Sequence, residues 1–538
     1  MSQVDSLLKL SALGIYVHGF FVSITLGLPL VVAFLLYKYS KTGDETYFKA
    51  VKIATAVLAV NFALGAVTGT LVEFGLIQIW PGTIITIATS ALAPLALELI
   101  AFVMEIAFLI LFVVTLGRIS TRKSIAIILA YWAFALLSGA LITGVNSWLI
   151  APWGTGGLAS VIYPFMPEYG PESIDLGKLL IVKVLLLASD KPLQEIIQRP
   201  EVAEKIGLLI EDPYVAFKSP YAWASIIHNL IAAVLVGSSI ALAVWAYRYY
   251  KTGDEKKLKI IATFMAPILL LLLIQATVSA HYMGAMVVEY NPTKFAMMER
   301  AKETYYNPII GIIAYGDPNH PIEGFDKFRE KCEALGDITL GELATKLGIS
   351  KRDVENIATN IGLELDGSKI DAVLTTKAKD VCLADLEKAE RLINIVNVAY
   401  YTKLLGAGIA IVSSLLMTGI LYDVPVLSGI SRSIANRAGS RATVLTLGIL
   451  VALGVIVAAS LGWYVREVGR KPWTVYGLLY PEEIMTTVNY AYSAPFLAFA
   501  SIMIIVISIS GITIIALVAS RYDKIEESLK KVLEKLSR

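Results

Sequence analysis

The sequence is short of the residues that usually assemble a metal centre. Four histidines and two cysteines are spread over 538 residues, with no HExxH, no CxxC and no CxxCH. These absences exclude a zinc site built on one helix face, a metal knuckle and covalent haem attachment. Charge is also scarce: 17% of residues are ionic and the net charge is only +2, which leaves no basic surplus for a nucleic-acid partner. What fills the chain instead is apolar. Hydrophobic residues make up 56% and the mean hydropathy is +0.68, the signature of a multi-span membrane protein. The first apolar run exceeds twenty residues, so it is expected to span rather than to act as a cleavable leader.

The fold expected is all-α, a polytopic bundle of nine transmembrane helices near 11–36, 53–72, 91–117, 124–145, 222–246, 260–280, 393–421, 442–464 and 494–519. A tenth run, "LLIVKVLLLA" at 179–188, is too short to cross and is expected on the surface or within a loop. Loops 1–2, 3–4, 5–6 and 7–8 are short and basic, as is the C-terminal tail, so the positive-inside rule puts the N-terminus outside and the C-terminus inside. Three regions follow: a bundle over 1–280 with an outside loop at 146–221, an outside cap at 281–392, and spans 7–9 with a basic inside tail over 393–538. The cap is polar and helical in pattern. Its segment "LGELATKLGISKRDVENIATNIGLEL" has a helix-turn-helix look, but an outside location argues against DNA.

"YKYSKTGDE" at 37–45 returns as "YRYYKTGDE" at 247–255, and a histidine precedes each KTGDE by the same interval, His18 and His228. Spans 1–2 and 5–6 therefore read as an internal repeat of one hairpin. Within the spans only His18, Glu98, Glu105, His228 and Lys403 can carry charge. Each such group costs roughly 3 kcal/mol or more in hydrocarbon, which makes it a functional candidate. His18, Glu98, His228 and Lys403 fall in the outer half. Glu105 lies two turns below Glu98 on the same face, about 10 Å deeper. Single histidines on separate helices suit the axial ligation of haem better than they suit zinc. A satisfied core histidine, or an ion relay through Glu98, Glu105 and Lys403 without haem, are the competing readings.

Span 8 ends in "GWYVREVGRKPW", Gly462 to Trp473, where an interface anchor would need tryptophan and a cation but no Glu467. That stretch, with "GAVTGTLVEFG" at 65–75, Trp80-Pro81, "APLALELIAFVME" at 93–105, "NSWLIAPWG" at 146–154 and "NPTKFAMME" at 291–299, resembles subunit I of the cytochrome bd quinol oxidases. The resemblance covers nearly the whole chain, motif by motif in order. It implies Glu467 and His18 as ligands of the two high-spin haems at the oxygen site (b and d, or both b-type), with His228 holding a low-spin haem b. Arg470, Trp463, Trp473, Lys403 and Glu73 would form the haem surroundings. Glu98, Glu105 and Ser138 would serve catalysis by handling protons. Lys294, Glu299 and His281 would meet quinol. One departure stands out: "YYTKLLGAG" at 400–408 has no methionine where the family places the second ligand of the low-spin haem, and Met417 is over three turns further on.

The function implied is a haem-containing quinol:oxygen oxidoreductase core subunit. It would oxidise quinol outside and reduce O2 to water with protons from inside, in a prokaryotic plasma membrane. The alternatives are a relative passing electrons to another acceptor, or a haem-free transporter. The expected partner is a subunit II or a diverged copy of this chain, besides quinol, O2 and the lipid bilayer, with no nucleic acid. Cys332 and Cys382 both fall in the outside cap, where a disulfide can persist; two buried free thiols are the other possibility.

Overall fold

The computed structural model describes residues 3–173, 212–360, 366–484 and 493–536, and the 179–188 run lies outside them. Nine of the described helices are long and apolar enough to cross a membrane. They are α1 (Gln3–Thr42), α2 (Glu45–Ile79), α3 (Pro81–Thr115), α4 (Thr121–Ile150), α5 (Pro220–Thr252), α6 (Glu255–Tyr290), α7 (Ile393–Tyr422), α8 (Ser440–Val468) and α9 (Ser493–Leu536). The described residues contain no strand, only isolated bridges. The expected all-α architecture and its nine spans are thus present.

Both KTGDE turns are built alike. Gly43 and Gly253 take φ of 66° and 64°, the left-handed conformation that closes a helix and that glycine adopts without a Cβ penalty. The following aspartates cap the next helix: Asp44 accepts from the Thr46 amide at 2.9 Å and Asp254 from the Lys256 amide at 3.0 Å.

The helices differ from the expected spans mainly in length. One of them is α6, which runs on from the expected end at 280 to Tyr290. The reason is a π turn over Gln275–Ser279, which carries the helix forward without a break. The region assigned to the cap therefore begins inside a helix, and the segment Pro292–Met298 follows directly on its end.

Two apolar cores divide the molecule. One fills the half of the bundle holding the KTGDE turns, with Phe21, Tyr131, Phe264 and Met417 among its members. The other joins the opposite helix ends to the cap, uniting Trp148, Tyr163, Phe295, Phe328, Cys332, Cys382 and Trp473. In the cap the pattern at 340–365 holds short helices at Leu340–Lys346 and Lys351–Asn360, and 361–365 lie outside the described residues.

Cys332 and Cys382 are bonded, with Cα atoms 5.7 Å apart, and both are fully buried. The bond joins the helices Phe325–Glu333 and Ala378–Glu390 across a separation of 50 residues. A closure of that length stabilises by about 4 kcal/mol in the chain-entropy account. Alkylation of native protein without reductant should label neither cysteine. Replacing both with serine should lower the thermal midpoint of the cap, read by limited proteolysis on heating; two freely labelled native thiols would contradict the bond.

Candidate functional site

The two intramembrane histidines are held in the same way. On the α1–α2 hairpin, His18 Nδ1 lies 3.3 Å from Thr68 Oγ1. Thr68 has already given its own proton to the Leu64 carbonyl at 2.9 Å, so it accepts from the Nδ1–H. Gly69 makes room for the ring: a Cβ there would stand 2.9 Å from His18 Cε1. On the α5–α6 hairpin, His228 Nδ1 lies 3.1 Å from Ser279 Oγ and 3.2 Å from Gln275 Nε2, and Gln275 also donates to the His228 carbonyl at 3.0 Å. Both partners come from the π turn. Histidine and hydroxyl are 50 residues apart in the first hairpin and 51 in the second, a difference of the one residue that a π turn inserts. In each ring these hydrogen bonds engage Nδ1, and Nε2 makes none among the described residues.

Glu467 and Arg466 leave the end of α8 in different directions. Arg466 is buried, and its guanidinium is satisfied by neutral groups from two other helices. Nε donates to Asn146 Oδ1 at 2.7 Å and Nη2 to Ser147 Oγ at 3.1 Å on α4, while Nη1 donates to Ser225 Oγ on α5. Trp463 stacks on the same guanidinium at 5.1 Å. Asn146 then turns its amide to Glu467, donating to Oε1 at 3.3 Å, and Arg470 donates to Oε2 at 2.5 Å. Arg470 also donates to the Thr474 carbonyl at 2.6 Å, yet its buried Nε has no partner.

Lys294, expected to contact quinol, is 2% exposed within this cluster. Its Nζ donates to Tyr221 Oη at 3.3 Å, and Gly469 is a glycine because a Cβ would fall 2.6 Å from Lys294 Cγ. Burial and the Arg466 guanidinium hold the Lys294 amine well below the usual lysine range. Burial, followed by Arg470, pushes Lys471 down to about 8. Four basic side chains thus crowd around Glu467.

A second polar file runs through α3 and α4. Ser138 Oγ donates to Glu98 Oε1 at 2.9 Å, and Glu105, 5% exposed, reaches the same hydroxyl. Glu73 of α2 stands within electrostatic reach of Glu98, and Tyr131 within reach of Glu105. Lys403 on α7 is part-buried, with its chain against Gly462 of α8. Glu299 accepts from Tyr401 Oη at 3.0 Å, and burial pushes its carboxyl above the usual range against that hydrogen bond. His281 is exposed on the last turns of α6, away from the buried groups. Trp473 is fully buried and donates to Tyr163 Oη at 3.1 Å. Met417 packs into the other core, 3.6 Å from where a Cβ on Gly448 would be.

These residues fit haem on their own chemistry. The His18 imidazole, whose Nδ1–H meets Thr68, presents Nε2 in the tautomer an axial ligand needs, and the His228 ring is held at the same atom between Ser279 and Gln275. A buried surplus of cations, one with an unpartnered Nε, suits a group bearing carboxylates. Sequence inspection missed Asn146, Thr68, Gln275 and Ser279. The first stands in the quoted "NSW", and the hydroxyls repeat at nearly one interval from each histidine.

The chain is similar to known proteins over most of its length. The family model described as "Cytochrome bd terminal oxidase subunit I" matches residues 9–522. The chain is 25% identical over 309 residues to a protein named putative cytochrome bd menaquinol oxidase subunit I from Bacillus subtilis, an alignment covering 56% of this chain and 59% of that relative's length. It is 22% identical over 530 residues to the Escherichia coli cytochrome bd-II ubiquinol oxidase subunit 1, covering 91% of this chain and 90% of the relative. The solved structure of a bd oxidase from Geobacillus thermodenitrificans shares the fold, with a TM-score of 0.65 at 17% identity, over 96% of this chain and 98% of that one.

Arg466→Gln removes the charge and breaks the fork that three helices share. The expected cost is roughly 1–3 kcal/mol, since the buried Asn146, Ser147 and Ser225 acceptors are left without their donor. A thermal scan of detergent-solubilised protein checks this; an unchanged midpoint would mean the network carries no stability.

Proposed function

The chain belongs to the cytochrome bd terminal oxidase subunit I family, multi-pass proteins of the prokaryotic plasma membrane, and on that basis we propose that it is the core subunit of a quinol:oxygen oxidoreductase. The observation that carries this reading is the pair of histidines tethered through Nδ1, together with Glu467 held between Asn146 and Arg470. When bound, haem would supply the electron transfer and oxygen reduction that side chains lack.

The chain's own residues set ligands, charge and proton supply. Thr68 fixes the ring of His18, and Gln275 with Ser279 fixes that of His228, each keeping Nε2 toward the iron position. Arg470 and Asn146 keep Glu467 ionised and aimed, so an anionic oxygen is available as a ligand beside His18. The surplus on Arg466, Arg470, Lys471 and Lys294 offsets propionate charge. Glu98 and Glu105 share the Ser138 hydroxyl, a relay in which a proton passes from the deeper carboxyl to the shallower one without crossing bare hydrocarbon. In the orientation set by the basic loops, protons for water enter from the inside past Glu105 and those of quinol leave outside. The partner is a subunit II or a diverged copy of this chain, covering apolar faces such as Leu405 and Val412 of α7 that stand exposed in the single chain.

A second reading has one observation behind it. With Met417 packed in the other core, the His228 haem lacks the family's thioether ligand, which alters its potential and favours a different electron acceptor. Oxygen uptake with quinol separates the two, and a pyridine haemochrome spectrum without haem would end both.

Two variants test the ligands. Glu467→Gln should lose one high-spin haem and oxygen reduction while the His228 haem stays reducible by quinol. Ser279→Ala should weaken binding of the low-spin haem about 10–100-fold, as loss of an outer hydrogen bond to a ligating histidine does, read as haem released on titration with apomyoglobin. Normal haem content in both would refute the assignment.

A further inference from the structure

Of the five ionisable side chains that the sequence places within the spans, four have hydrogen-bond partners. His18 meets Thr68, His228 meets Ser279 and Gln275, and Glu98 and Glu105 share Ser138. Lys403 on α7 is the fifth. It is part-buried in the single chain and makes neither a hydrogen bond nor an ion pair among the described residues. An isolated ammonium at such a place costs roughly 3 kcal/mol or more. A neutral amine costs less there, and its nitrogen carries a lone pair that a metal can take. What stands opposite that nitrogen therefore decides its use.

Two antiparallel helices bring the amine to the level of His228. Near one end, Arg466 of α8 donates to Ser225 of α5; at the other, a Cβ on Gly253 would overlap the Arg441 guanidinium at the start of α8. His228 lies three residues beyond Ser225, and Gly462 lies four residues before Arg466. Each step is about one helical turn, and in antiparallel helices both lead the same way from the Ser225–Arg466 bond. Lys403 packs at Gly462, where a Cβ would stand 3.6 Å from its Cε and 3.9 Å from its Nζ. Its charge accordingly reaches His228, and does so more strongly than that of Arg466. The His228 ring gives the direction. Ser279 and Gln275 of α6 hold Nδ1, so Nε2, across the ring, points away from that helix. His281, Met283 and Met286 belong to α6 and stand on the helix behind the ring. His320 lies in the cap against Tyr315, and Met417 packs into the other core.

We propose that Lys403 Nζ is the second axial ligand of the haem held by His228, from the segment 400–408 that lacks a methionine. The bond forms from the amine lone pair, so one proton leaves Nζ for water and no electron is transferred. The proposal rests on the haem-containing oxidase reading and adds a ligand to it. A thioether opposite histidine raises the potential of a haem, so an amine in its place should leave this one lower. The test uses the complete purified complex and reads ligand identity rather than turnover. In the oxidised wild type, near-infrared magnetic circular dichroism should show the charge-transfer band of a low-spin haem with imidazole and amine ligands. Lys403→Met should replace that band with the imidazole–thioether one and raise the midpoint potential in a redox titration; loss of the band with haem content retained also supports the assignment. Lys403→Ala should turn the same haem high-spin, and the reduced protein should bind one more equivalent of carbon monoxide than wild type. A wild-type band of thioether or bis-imidazole type, or no low-spin haem at all, overturns the ligand without needing either variant to fold. A low-spin band unchanged in either variant does the same, and is the result expected if the amine only neutralises a propionate. In each of those cases, oxygen uptake with quinol by the wild type keeps the function standing. A wild-type complex without haem overturns both.

Discussion

Everything at the cap end of the bundle depends on one buried guanidinium. Arg466 carries a full charge where water is scarce, and removing such a group from water costs several kcal/mol unless its donors are met. Its planar fork is what makes the burial tolerable, because donors pointing in fixed directions reach Asn146 and Ser147 on α4 and Ser225 on α5 at once. A lysine could not bridge three helices in this way. Once Asn146 has spent its oxygen on Arg466, only its amide protons remain, and these fall to Glu467. The carboxylate is thus positioned by the same asparagine that anchors the arginine. The balance is not neutral: four basic groups surround one acid, and the surplus is what a propionate-bearing cofactor would compensate.

The nine spans and the five ionisable residues within them were legible in the sequence because hydrocarbon imposes so strict a rule on both. Glu467 was legible because an acid at a span end has no anchoring use. Other parts were hidden for identifiable reasons. Thr68 and Ser279 are common residues in membrane helices, and Thr68 also bonds the carbonyls of its own helix, so nothing local marks them as partners of a histidine fifty positions away. The π turn in α6 leaves no trace in composition; it shows only as the extra residue between His228 and Ser279 compared with His18 and Thr68. The burial of Lys294 depends on Gly469, far along the chain, and a motif that reads as surface in isolation is drawn under the cluster by that single missing Cβ. The Asn146–Arg466 bond spans 320 residues, beyond the reach of any periodicity.

The contact between α7 and α8 shows how small residues set the stage for a buried charge. Gly406 and Gly454 approach so closely that a Cβ on Gly454 would lie 2.5 Å from the Gly406 carbonyl oxygen. That proximity is the usual means by which membrane helices gain packing where the hydrophobic effect gives nothing. About one turn before Gly406 on α7, and two turns after Gly454 on α8, Lys403 lies along the flank opened by Gly462. The pair of helices therefore holds a basic side chain at the level of the Glu467 cluster, supported by glycines rather than by a carboxylate.

The cap is fastened to this cluster by a polar clasp. The turn after Glu467 carries Trp473, whose indole donates to Tyr163; Tyr163 in turn donates to Asp385 at 2.6 Å, and Tyr480 donates to the same carboxylate. Asp385 is buried in the cap helix Ala378–Glu390, one turn from Cys382. The disulfide then crosses to the helix Phe325–Glu333, whose Phe328 walls a cavity against Phe165. A displacement of that wall would have to break a covalent bond, a buried carboxylate with two phenol donors, or the Trp473 packing before it left the Glu467 frame behind. Buried hydrogen bonds to a charged acceptor cost more to break than neutral ones, so the cap and the charged cluster move as one body.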